Sequence, residues 1–196
     1  MGIYRKRTVY AGLVLMLCAV LLLQGCAEAI VVGGMGGLVA MNDTRSARDS
    51  RQDVVLEKAA RRALDRDRAL RHEADINVTS FNGTLLLTGQ VSSREQKKHV
   101  SALIQKTAGT HRVRNEILVS SAPMDNTWIS DSYTAARVKA RLVFSDVDAA
   151  RIKVVSDFGN VYLMGQISHA ESDQVIAMAS DVNGVLTVTG VFDYVD

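Results

Sequence analysis

Two phrases, NGTLLLTGQV at residues 82–91 and GNVYLMGQI at residues 159–167, are nearly superimposable. Gly83 and Gly159 stand 76 residues apart, Gly89 and Gly165 stand 76 apart, and Gly109 and Gly184 stand 75 apart. So steady an offset marks a duplicated unit of about 70 residues. With 196 residues, the length allows one domain or two small ones. The repeat selects two.

Each copy reads helix, strand, strand, helix, strand. In the first, Leu56, Ala59, Ala60, Ala63 and Leu64 recur at helical spacing. ADINVTS (74–80) alternates as a strand, Asn82-Gly83 is a hairpin turn signal, and TLLLTGQV (84–91) returns. Ser92-Ser93-Arg94-Glu95 is expected to cap a second helix, with Val100, Leu103, Ile104 and Thr107 on one face. Gly109 stops it, and VRNEILV (113–119) is the third strand. In the second copy a helix is expected over 131–144 and strands over 151–156 and 161–167. A turn at Gly159-Asn160, a helix over 168–182 and a strand over 185–195 complete it. The fold class is α+β. The single proline, Pro123, falls in the 121–130 linker between units at 53–120 and 131–196.

The chain opens with a different kind of segment. Arg5, Lys6 and Arg7 form a basic cluster, and 9–23 is almost wholly apolar, the length of a signal-peptide core. It ends in Leu22-Leu23-Gln24-Gly25-Cys26. This order resembles a bacterial lipoprotein signal with its lipobox, which implies cleavage after Gly25 and lipidation of Cys26. Several acyl chains make anchoring stable where one is marginal. An uncleaved anchor or an ordinary secretory signal are the alternatives. Ala27 follows the cysteine where an inner-membrane retention signal would have Asp, so sorting to the outer membrane, facing the periplasm, is expected. Residues 26–52, glycine-rich and then polar, read as a lipidated flexible tether, or in part as a short apolar helix near the membrane.

The glycine-bracketed hairpin followed by S-x-x-E (Ser92 to Glu95; Ser168 to Glu171) resembles the BON domain. Two such units behind a lipobox are similar to the DolP family of dual-BON outer-membrane lipoproteins. The resemblance implies a three-stranded mixed sheet with two helices per unit. It also implies binding of anionic phospholipid through the second unit, enrichment at division sites, and a role in outer-membrane integrity.

The helix that opens the second unit carries the most chemistry. At about 100° per residue, Ala135, Val138 and Leu142 share a sector of about 60° that should face the sheet. Tyr133, Ala140 and Phe144 share a sector of about 40° on the opposite side, bordered by Arg137 and Arg141. A helix on a two-layer domain needs one apolar face, not two. Trp128 and Ile129 lie just upstream, in the linker, and Asp131 and Ser132 are placed at the helix cap. Aromatic rings favour the membrane interface and guanidinium groups suit phosphate. The corresponding first-unit helix presents Lys58, Arg61 and Asp65 there. The phospholipid-binding set is therefore Trp128, Ile129, Tyr133, Arg137, Ala140, Arg141 and Phe144. Packing of the Tyr133 face against the first unit is the competing reading.

Catalytic signals are thin. His72, His99, His111 and His169 have no metal-ligand spacing to one another or to Cys26, and no nucleophile elbow or phosphate-cradling loop is present. Neither a catalytic residue, a metal site nor a cofactor is assigned, and an enzyme is not expected. Two cysteines cannot build a multi-disulfide scaffold. The net charge of +2 drops to −1 once residues 1–25 leave, so no nucleic-acid partner is expected. Attraction to an anionic membrane must then come from local placement of arginines. A tethered adaptor for an envelope assembly, division-site or cell-wall remodelling machine is the second class of function.

Overall fold

The computed structural model describes residues 47–70, 74–109, 111–120 and 128–195. All of them fall in one compact unit spanning Thr44–Asp196. Cys26, the signal segment and the linker residues 121–127 lie outside the described residues.

The first repeat runs α1 (Ala47–Arg66), β1 (Asp75–Phe81), β2 (Thr84–Val91), α2 (Arg94–Ala108), β3 (Arg112–Asn115) and β4 (Leu118–Val119). The second runs α3 (Trp128–Val143), a 3-10 turn (Ala149–Arg151), β5 (Ile152–Asp157), β6 (Asn160–Ile167), α4 (His169–Ser180) and β7 (Thr187–Tyr194). In each, the central strand pairs antiparallel with its hairpin partner and parallel with the last strand. The α+β class and the αββαβ order are as the repeat implied.

Several boundaries move, each for a local reason. The expected third strand is two, because the Asn115 side chain leaves the ladder's company. Its Nδ2 donates to Ser101 Oγ and Lys97 O, and its Oδ1 accepts from Ile117 N–H. The second hairpin turns at Phe158-Gly159, not Gly159-Asn160, with φ of 51° and 74°. That matches Asn82-Gly83 at 50° and 72°, the left-handed pair that a two-residue hairpin requires. The α2 cap is Ser93 with Gln96, one residue later than Ser92 with Glu95. The α4 capping box forms as expected between Ser168 and Glu171. Those bonds hold the Glu171 carboxyl below its ordinary pKa.

Both first helices start early. α1 begins at Ala47, inside the stretch read as tether. α3 begins at Trp128, so Trp128 and Ile129 form a first helical turn, not linker. Asp131 is correspondingly not a cap but a residue within the helix.

The phrases that announced the repeat now have a physical cause. A Cβ on Gly89 would collide with the Asp75 carbonyl oxygen, and one on Gly165 with that of Arg151. In each domain the backbone at the start of the neighbouring strand lies so close that only glycine fits.

The cores follow strand alternation. Leu85 and Leu87 of β2 join Val78, Val100, Ile104 and Leu56 beneath α1 and α2. Val161, Leu163 and Ile167 of β6 join Val138, Leu142, Val175 and Ala179 beneath α3 and α4. The intervening residues point the other way, and there the sheets meet each other. Leu86 and Phe81 pack with Tyr162, Met164 and Val191 in a third, interdomain core. The molecule is thus layered helices, sheet, sheet, helices. Three apolar residues in a row on β2 and on β6 are the mark of strands buried on both faces.

Polar groups edge this interface. Arg112 pairs with Asp193, and Asn77 Nδ2 donates to Asp157 at 3.3 Å. Burial pushes the Asp157 carboxyl up against the hydrogen bonds from Gly89 and Thr88 that oppose it. Burial, then the charges of Glu116 and Asp157, push the Tyr162 hydroxyl up to about 12.

Candidate functional site

The site is built on α3, which is fixed near its start by a buried carboxylate. Asp131 sits in its first turns and is 8% exposed. Its carboxylate accepts from Ser156 Oγ and from the backbone N–H groups of Phe158 and Gly159, each at 2.9 Å. The helix is therefore bolted to the β5–β6 hairpin turn. The first repeat does the same. Asp53 of α1 accepts from Ser80 Oγ at 2.8 Å and from Asn82 and Gly83 N–H at 2.9 Å. Charge-assisted bonds of this kind are about twice as strong as neutral ones. Sequence reasoning missed both latches, since an Asp near a helix start resembles an ordinary cap. The signal was the repetition itself, an Asp followed 27 and 25 residues later by a serine that it binds.

With its inner face fixed, α3 buries Thr134, Val138 and Leu142, leaves Ala135 half-buried, and turns Tyr133, Ala140 and Arg141 outward. Tyr133 is 63% exposed and Phe144 is 89% exposed. Ala140 lies exposed between them. Both rings therefore leave apolar surface in contact with water. Neither ring packs against the first domain; that contact belongs to the sheets.

The basic residues divide. Lys139 points to the opposite flank, where its Nζ donates to the carbonyls of Ala149 and Ile152. Arg137 donates from Nη1 to Asn183 O at 2.9 Å, and its guanidinium lies 5.6 Å from the centre of the Tyr133 ring. That is cation–π range. The bond holds Arg137 beside the ring with part of its donor fork outward. Arg141 is exposed, with no hydrogen bond or ion pair to any described residue. The side chains of Trp128 and Ile129 lie outside the described residues. One further apolar group escaped sequence reasoning. Leu186, 75% exposed, stands in the loop whose Asn183 carbonyl receives Arg137. Sequence reasoning placed it inside the strand expected over 185–195, whereas β7 begins only at Thr187.

Comparison with known proteins bears on this arrangement. The BON domain profile matches residues 52–121 and 130–196. Over 185 residues the chain is 32% identical to the outer membrane lipoprotein DolP of Haemophilus influenzae, spanning 94% of this chain and 96% of that one. The chain belongs to the DolP family. This DolP-family member is also 33% identical over 154 residues to the 21 kDa hemolysin of Actinobacillus pleuropneumoniae, covering 78% of this chain and 79% of that one. A shorter match, 29% over 118 residues, is to the osmotically-inducible protein Y of Escherichia coli, 58% of this chain and 59% of that one. Among the described residues of this family member, no helix is long and apolar enough to cross a membrane.

Proposed function

We propose that this outer-membrane lipoprotein faces the periplasm and binds anionic phospholipid through the outer side of α3. Its wider role, which the family resemblance supports, is to maintain outer-membrane integrity at division sites. Phe144 carries the reading. A phenylalanine ring 89% exposed at the end of a well-packed helix has no role in the fold. Burying it in a bilayer interface is worth about 1.5–3 kcal/mol. Tyr133, Ala140 and Leu186 extend the apolar patch, and Trp128 and Ile129 begin the same helix. Arg137 and Arg141 supply the selectivity for anionic headgroups, each adding about 1 kcal/mol near a negatively charged surface. Selectivity by placement is needed because the mature chain's overall charge is slightly negative and gives no attraction of its own.

The test is an NMR titration of the lipoprotein's mature chain with anionic and zwitterionic micelles. Shifts confined to residues 128–144 and the 183–186 loop, stronger with anionic micelles, are the expected result. Shifts absent there, or restricted to the first domain, would overturn the assignment. Cys26→Ala should release the protein from the membrane fraction while leaving the micelle shifts intact.

A further inference from the structure

The first domain has an unassigned surface of a different shape. Between α1 and α2 lies an open groove of 620 Å³. Val55, Leu56, Ala59 and Ala108 give it an apolar lining, with Arg51 and His111 also on its wall. Val55 is 68% exposed, and no described element covers it. Along α1, Arg51, Val55, Ala59, Arg62 and Arg66 share one sector of about 80°, and no acidic residue of the helix enters it. Arg51, Arg62 and Arg66 are exposed, as is Lys106 on the α2 side.

Charge, shape and placement together choose the occupant. Residues 52–121 carry 12 basic and 8 acidic side chains, whereas residues 130–196 carry 5 and 9. The basic surplus of the molecule is therefore concentrated in the domain with the groove. The surface is concave and carries no Phe, Tyr or Trp, the large rings that favour a membrane interface. A slot of this kind suits a single helix. The layer order also puts the α1–α2 side and the α3–α4 side on opposite outer faces of the paired sheets. A membrane lying against α3 leaves the groove open.

We propose that the groove binds an acidic amphipathic helix of a partner protein. Its apolar stripe lies on Val55, Ala59 and Ala108, and its carboxylates meet Arg51, Arg62, Arg66 and Lys106. Guanidinium–carboxylate pairs supply orientation, and the apolar floor supplies affinity. The apolar-and-basic chemistry of the groove stands whether or not α3 binds lipid.

The experiment uses full-length lipoprotein in zwitterionic nanodiscs and reads fluorescence anisotropy of two synthetic peptides. One is an amphipathic helix of about four turns with leucines on one face and glutamates on the other, long enough to hold helical structure once docked. The other replaces the glutamates with lysines. The glutamate peptide should bind and the lysine peptide should not. Val55→Asp, and separately Arg62→Glu with Arg66→Glu, should each weaken binding at least about tenfold. These positions are exposed, and circular dichroism checks that the fold is kept. Phe144→Asp should leave peptide binding unchanged. Binding of neither peptide, equal binding of both, or indifference to the groove substitutions would overturn the proposal. So would vesicles of phosphatidylglycerol, if their binding were lost on Arg62→Glu with Arg66→Glu, since that assigns the surface to a membrane. Vesicle binding unaffected by Phe144→Asp counts against the α3 reading alone.

Discussion

In the first domain Asp53 gathers Ser80, Asn82 and Gly83; in the second, Asp131 gathers Ser156, Phe158 and Gly159. Gly89 and Gly165 both make room for a neighbouring carbonyl. At these latches and glycines the repeats match group for group. Outside, their first helices part company. α1 turns arginines and valines outward along a groove, whereas α3 turns out two rings edged by arginines. The interior of a small domain is fixed by close packing and by buried donors that must be satisfied, so a duplicated unit cannot easily change it. The outer face carries no such constraint and is where two copies can acquire two partners.

The comparison can be broken at its shared frame. Gly89→Ala and Gly165→Ala force a Cβ onto a neighbouring backbone oxygen, and each should cost more than about 3 kcal/mol of stability by chemical denaturation. If one domain tolerates the change and the other does not, the frames are not equivalent. Next come the latches. Asp53→Ala and Asp131→Ala strip a carboxylate from buried donors and should each cost about 2–3 kcal/mol. Equal losses would support a common device.

Divergence is tested on the outer faces. Phe144→Asp should weaken binding to anionic micelles by about tenfold or more, while Val55→Asp leaves it unchanged. Equal effects would erase the distinction between the two helices.

The smallest effect concerns the seam. Burial raises the Asp157 pKa above its unfolded value, with like charge from Asp131 adding to it. The folded chain therefore holds an extra proton between the two values. Its contribution to stability is full below the unfolded pKa and falls as pH rises through the folded one. Asp157→Asn should remove that slope and slightly raise the melting temperature at neutral pH. A steeper pH dependence in the variant would contradict the assignment.

Much of this was legible in the residues. Hairpin glycines, the Gly109 stop and the Ser168–Glu171 box are local signals, decided by a few neighbouring torsions. The outward aromatics followed from helical period alone. What escaped was non-local. Leu85-Leu86-Leu87 and Tyr162-Leu163-Met164 showed apolar groups on both strand faces, yet nothing local says what covers the second face. The domains were therefore expected to meet, if at all, through Tyr133 and Phe144. The early start of α1 was hidden because Ala47–Gln52 is largely polar and lacks apolar period.

Asp53 lies six residues into α1, the first described element after the stretch that leads back to Cys26. Any tension transmitted from a lipid anchor enters the fold along this helix. One cross-strut on this helix is the Asp53 carboxylate, joined to the tip of the β1–β2 hairpin. Such a pull is shared between helix and hairpin rather than peeling one turn at a time. The same carboxylate that positions the helix would therefore also carry load between helix and hairpin.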